Sequence, residues 1–301
     1  MLEPQLGMAP KDVVVWARYA EKAGFGYIFR SDHLIPTTRE RGLDSPECWT
    51  TLGMMAANTR RVKFGPLVSP VGFRNPALLA KMACTVHSFS SGRLILGVGA
   101  GWFEDEYLAH GYEFPSFRIR RQQFEEALKI IRPLTEGKPV NFRGTYFSAK
   151  TDCYPKPRGK VRLIIGGRNR KVVATAAKYA DECNIFSSPV DQILKLKELL
   201  NSRTSRKVAM SLMGYSILAE NKRDLEKRMR HYTRLVRIAG GEQEVLNRIR
   251  AKGVICGDVE NFVVEVNKRR DAGIQRFYFQ VLDPRDSGMF DLLADTLKNS
   301  F

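Results

Sequence analysis

Short β-branched or aromatic runs alternate with helical patterns almost from end to end of this chain, and that alternation constrains the fold more than any other feature. Parallel strands cannot be joined by a tight turn, so each needs a crossover, usually a helix. Pro10 marks a helix start, Val13, Trp16, Ala17 and Ala20 recur at helical spacing, and Gly24 ends the segment before a strand at Tyr27–Arg30. The same unit repeats as a helix from about Pro46 to Asn58 with a strand at Lys63–Ser69, then a helix at Pro76–Phe89 with a strand at Arg93–Gly99.

A long helix from Arg118 to Thr135 interrupts the rhythm by leading into a hairpin, with Arg143-Gly144 turning between Val140–Phe142 and Tyr146–Phe147. The alternation resumes with strand Arg162–Ile165, helix Arg168–Ala180, strand Glu182–Phe186 and helix Val190–Asn201. Strand Val208–Leu218 follows, then helical segments Arg223–Ile238, Glu242–Ala251 and Asp258–Ala272, strand Arg276–Val281 and a closing helix near Ser287–Lys298. With a stub at Leu2–Gln5 the chain supplies eight β/α units, which predicts an α/β fold of the (β/α)8 TIM-barrel type with an insertion after the fourth strand and a short first strand. No low-complexity linker divides the 301 residues, so residues 1–301 are expected to form a single domain.

Composition excludes several classes. No apolar run reaches membrane-spanning length, and the opening MLEPQLGMAPK lacks the order of a signal peptide, so a soluble, cytoplasmic protein with no membrane partner is expected. The five cysteines form no CxxC pair, which removes the usual zinc and redox motifs and leaves no expected metal site. The net charge of +17 attracts polyanions. Between Cys153 and Ala180 there is no acidic residue, while Lys156, Arg158, Lys160, Arg162, Arg168, Arg170, Lys171 and Lys178 fall inside. Solvated surface, nucleic acid, a membrane face or an acidic cofactor would each account for it, but no nucleic-acid-binding motif accompanies the charge.

Barrels place their chemistry at the carboxyl ends of the strands. There the sequence puts Ser31-Asp32-His33, Ser69-Pro70, Gly99-Ala100-Gly101-Trp102, Gly166-Gly167-Arg168-Asn169, Ser187-Ser188 and the segment from Gln280 to Asp283. Of the four histidines only His33 falls at a strand end beside a carboxylate, as an acid or base working near neutral pH requires. His87, His110 and His231 read as structural or solvated. The glycine pair before a helix start offers free amides and a positive dipole end to a phosphate. Three consecutive acids, Glu104, Asp105 and Glu106, read as complementing the dipole of the helix they begin.

Taken together, SDHL at 31–34, FRNPALLAKMA from Phe73, SGRLILGVGAGWFEDEY from Ser91, PKP at 155–157 and IIGG before a helix resemble the bacterial luciferase-like flavin and deazaflavin oxidoreductases, in their order and over nearly the whole chain. The branch most resembled uses coenzyme F420. The resemblance implies hydride transfer between F420 and a small organic substrate, with His33 handling the proton. It further implies that Asp32 and Ser69 contact the deazaflavin ring, and that Ala100, Gly101 and Asp105 contact its edge and ribityl chain. Gly166, Gly167, Arg168 and Asn169 would then hold its phosphate, and the basic excess would face the cofactor's oligoglutamate tail. Thr37, Trp49, Trp102 and Gln280 are the expected substrate-pocket residues, and a homodimer through the second and third helices is implied. Thr37 and Trp102 stand where the sugar-phosphate and alcohol dehydrogenases of that branch carry Trp and Glu, so the substrate is expected to differ from theirs. The alternatives are a monooxygenase using reduced flavin mononucleotide (FMN) with oxygen, and a non-catalytic barrel binding polyanions or nucleic acid.

Overall fold

The computed structural model describes residues 1–38, 42–167, 169–236, 242–281, 283 and 286–301. A 3-10 turn at Pro4–Leu6 leads into α1 (Pro10–Lys22), β1 (Tyr27–Arg30) and α2 (Cys48–Asn58). Next come β2 (Lys63–Pro66), β3 (Ser69–Pro70), α3 (Pro76–Phe89), β4 (Ile95–Gly99), the short α4 (Glu104–Ala109) and the long α5 (Phe117–Thr135). A hairpin of β5 (Val140–Arg143) and β6 (Ser148–Thr151) precedes β7 (Arg162–Gly166), α6 (Arg170–Tyr179), β8 (Glu182–Phe186) and α7 (Val190–Arg203). The last part holds β9 (Ala209–Leu218), α8 (Lys222–Val236), α9 (Glu242–Ala251), β10 (Ile255–Gly257), α10 (Val259–Asp271), β11 (Arg276–Gln280) and α11 (Ser287–Ser300).

Strand pairing is parallel throughout the barrel and runs β1, β2, then β3 with β4, β7, β8, β9 and β11. A bridge from Phe64 to Leu94 joins β2 to the start of β4. Closure falls to the first two residues: Leu2 pairs with Arg30, its amide donates to Phe29 O at 2.7 Å, and the Met1 nitrogen donates to Phe279 O at 2.9 Å. The first strand is therefore shorter than the expected stub at Leu2–Gln5, because Pro4 starts a 3-10 turn and takes the backbone out of extended geometry. The expected strand at Lys63–Ser69 is likewise split at Leu67–Val68, whose peptide bond is cis. The antiparallel β5–β6 pair is the expected hairpin with its second strand at Ser148–Thr151 rather than at Tyr146–Phe147, which lie in the turn, whereas β10, paired with the far half of β9, was not legible.

Alternation along the strands explains what fills the barrel. Phe29, Ile95, Ile164 and Tyr278 point inward and form a small apolar cluster with Leu67, while intervening residues such as Leu96, Leu163 and Ile165 join the main core beneath the helices. At the amino ends of the strands, buried Glu182 accepts from Arg162 (3.0 Å), Arg276 (2.9 Å) and the Tyr278 hydroxyl (2.6 Å) and closes the barrel floor. Towards the other end the same inward positions are Gly97, Gly99 and Gly166, and the Val68 side chain occupies the volume they leave. A Cβ at Gly99 would lie 2.7 Å from Val68 and one at Gly166 2.9 Å from it, so a side chain at either position displaces that plug.

Candidate active site

The mouth at the carboxyl ends of β1, β3 and β4 is organised around two carboxylates. Asp32, 2% exposed, follows β1 and accepts from the Ser69 hydroxyl at 2.5 Å and from both terminal nitrogens of Arg74 at 2.7 and 3.2 Å. Ser69 in turn accepts from the Trp49 indole at 3.2 Å, and Arg74 also pairs with Glu47 at 2.6 Å. Burial would raise the Glu47 carboxyl, but the amides of Thr50 and Trp49 and the Arg74 guanidinium hold it below the usual range. Asp32 is thus a fixed anchor, its carboxyl group gripped by a bidentate guanidinium. Arg30, fully buried behind β1, donates to Ser31 O at 2.8 Å and Pro46 O at 2.9 Å and so ties down both ends of the loop that carries His33.

His33 meets the second carboxylate. Its Nδ1 lies 3.0 and 3.1 Å from the two oxygens of Glu106, which also accepts from the Leu34 amide at 3.1 Å. Glu106 is 1% exposed. The opposite imidazole nitrogen, Nε2, has no hydrogen-bond partner among the described residues, and the ring stands edge-on to Trp102 (5.7 Å) and Phe103 (6.2 Å). Trp102 stacks on Phe103 yet stays 66% exposed, an apolar wall beside the imidazole.

Glu106 is the functional residue that sequence reasoning missed. In the run Glu104-Asp105-Glu106 all three acids begin α4, but helical geometry sends Glu104 and Asp105 to solvent and turns Glu106 and Tyr107 inward. The available signal was the aromatic next to it, since an acid preceding a buried Tyr on a short helix shares part of the buried arc. Gly101 makes the turn into α4 with φ +79°, and a Cβ there would stand 2.0 Å from the Tyr107 hydroxyl. That hydroxyl is buried without a partner among the described residues.

The other expected residues divide into two groups. Ala100 and Gly101 lie half-buried beside α4, Thr37 lies half-buried four residues beyond His33, and Asp105 is exposed on α4. Trp49 is buried behind Ser69, at one remove from the mouth. Gln280 is buried in a second polar cluster, donating to Glu3 at 2.5 Å with its own oxygen unpartnered among the described residues. On the far side, the Gly167 amide donates to Asn184 O at 2.9 Å, and Asn169 caps α6 by accepting from Lys171 N at 2.8 Å. The amides of Asn169 and Arg170 donate to no described residue, and Asn169, Arg170 and Lys171 are exposed at this positive helix end. Arg168 lies outside the described residues.

Comparison with known proteins settles the family. The luciferase-like monooxygenase model matches residues 2–278. The chain belongs to that family. Among its relatives, an F420-dependent glucose-6-phosphate dehydrogenase of Amycolatopsis mediterranei is 34% identical over 174 residues, 57% of this chain and 52% of that protein. A 5,10-methylenetetrahydromethanopterin reductase of Archaeoglobus fulgidus is 29% identical over 242 residues, 77% of this chain and 68% of that protein. The chain thus spans only about half the length of the dehydrogenases it matches. In structure, this luciferase-like chain superposes on an F420-dependent secondary alcohol dehydrogenase in complex with an F420-acetone adduct, with a TM-score of 0.82, 23% identity and coverage of 100% and 99% of the two chains. Among the described residues no helix is long and apolar enough to cross a membrane.

Proposed function

We propose that residues 1–301 act as one luciferase-like barrel that moves hydride between coenzyme F420 and a small organic substrate, with His33 taking or giving the accompanying proton. The observation that carries this reading is the pairing at the mouth: one imidazole nitrogen held against a buried carboxylate, the other unpartnered among the described residues and beside an exposed aromatic wall. The residues present fit the cofactor. Gly97, Gly99 and Gly166 add no side chains of their own to a floor filled by Val68, which suits a flat ring. The amides at the start of α6 that donate to no described residue, with Arg170 and Lys171, suit a phosphate and an acidic tail. Asp32, Ser69, Ala100, Gly101 and Asp105 would then border the ring and ribityl chain, and Gly166, Gly167 and Asn169 the phosphate. Bound there, F420 supplies a ring carbon that accepts or delivers hydride. Names of relatives that use F420 support the choice.

Titration of the protein with oxidised F420 and with FMN tests the reading. F420 should bind more tightly, and more weakly as salt rises, with a steeper fall for a longer acidic tail. Tight FMN binding without F420 binding would favour the oxygen-using alternative instead. With any responsive substrate, His33→Ala should keep F420 affinity and lower turnover by about two to four powers of ten.

The same reading includes a homodimer. Leu78 is 53% and Phe89 66% exposed on α3, which is more apolar surface than a solvated helix face needs. Light scattering should report twice the 34.2 kDa chain mass, and a monomer at micromolar concentration would refute it.

A further inference from the structure

The geometry points to Glu106 as the positioning residue of His33: we propose that it holds the proton of the neutral imidazole on Nδ1 and so reserves Nε2 for the substrate's proton. The proposal deepens the proposed function and rests on its assignment of a proton-handling role to His33. A carboxylate only accepts hydrogen bonds, and both Glu106 oxygens lie within 3.1 Å of Nδ1, so Nδ1 must donate. An unprotonated Nδ1 would set its lone pair against the carboxylate's.

Burial adds a second consequence. Glu106 is 1% exposed and its remaining donor is the Leu34 amide, so among the described residues no Lys or Arg meets its charge. Imidazolium formation at His33 supplies that cation where it is needed. Among the described residues no other titratable side chain bonds the Glu106 carboxylate, and the neighbouring Tyr107 hydroxyl is buried without a partner there. Asp32 is held by Ser69 and Arg74, Glu104 and Asp105 are exposed, and His110 bonds the Glu106 carbonyl at 3.0 Å rather than its carboxylate. In the reducing direction hydride adds to the carbon of a C=X bond, the π pair takes the proton from Nε2, and His33 returns to the neutral form with its proton still on Nδ1. In oxidation Nε2 would take the substrate's proton, and F420, when bound, would supply the hydride acceptor.

Side-chain nitrogen NMR of histidine-labelled protein tests this without a substrate, with His33 assigned by its absence in His33→Asn. Between about pH 5 and 9 the neutral form of His33 should be the Nδ1–H tautomer. In Glu106→Gln the constraint lifts and the Nε2–H tautomer, which imidazole favours in water, should grow in, while affinity for oxidised F420 stays within about threefold. A wild-type His33 protonated on Nε2 overturns the proposal outright, whether or not the variant folds. So does an unchanged tautomer in Glu106→Gln, above all if F420 affinity is lost, which would make Glu106 a packing residue. A wild-type Nδ1–H tautomer in a protein that does not bind F420 supports the positioning role and refutes only the cofactor.

Discussion

Several glycines here are answers to particular neighbours rather than generic turn residues. Gly166 reads in sequence as half of a phosphate seat, but its inward position against Val68 means that a side chain there disturbs barrel packing as well as any ligand. Gly101 is tighter still, combining φ +79° with the buried Tyr107 hydroxyl 2.0 Å from where a Cβ would stand. Gly101→Ala should cost about 1–3 kcal/mol in a urea titration, from backbone strain plus the displaced phenol. Tyr107→Phe removes a buried hydroxyl that has no partner among the described residues and should stabilise by about 1 kcal/mol. The double variant should recover part of the loss; equal destabilisation with and without the hydroxyl would assign the cost to φ and to the ring carbons, which lie 2.9 and 3.1 Å from the added Cβ. His33 was legible from its strand end, but Glu106 was not, because three consecutive acids look alike until the turn at Gly101 sets which of them faces inward.

Elements are joined by a few charged residues that periodicity does not reveal. Asp181, between α6 and β8, accepts from Arg132 of α5 at 2.8 and 3.2 Å, from Lys160 at 2.7 Å and from the Leu163 amide of β7 at 3.0 Å. Burial would raise its carboxyl, but these donors hold it down at about 2. A depressed folded value stabilises above the unfolded one, so the contribution is complete above about pH 4 and fades as pH falls through about 2. Asp181→Asn should therefore destabilise at pH 7 by about 1 kcal/mol, reduced by partial solvent contact, and the gap from wild type should close on acidification. A gap independent of pH between about 2 and 7 would place the effect in packing instead. The acid-free run from Cys153 to Ala180 divides in the same way. Lys156, Lys160 and Arg162 are paired with Asp152, Asp181 and Glu182, whereas Arg170 and Lys171 stay exposed at the start of α6.

Across the whole molecule the barrel is stoppered at one end and open at the other. Glu182 draws Arg162 of β7, Arg276 of β11 and the Tyr278 hydroxyl onto one buried carboxylate, and Tyr278 is pushed upward first by burial and then by that charge. Glu182→Ala leaves two guanidinium groups at the barrel floor without it and should cost about 3–5 kcal/mol in thermal or chemical melts, with little effect on F420 affinity at the opposite mouth. A loss below about 1 kcal/mol would mean that water solvates the floor. The alternation of strand and helix, the hairpin insertion and the strand-end location of His33, Asp32 and Ser69 were all determined by sequence alone, because each rests on local periodicity or on a residue's place within its own unit. The closing bonds of Met1 and Leu2, the Val68 plug, the Arg74 clamp on Asp32 and the Glu106 partner of His33 were decided only by tertiary structure. Each joins residues from different β/α units, 73 apart in sequence for His33 and Glu106, and their distance and orientation exist only once the barrel has closed.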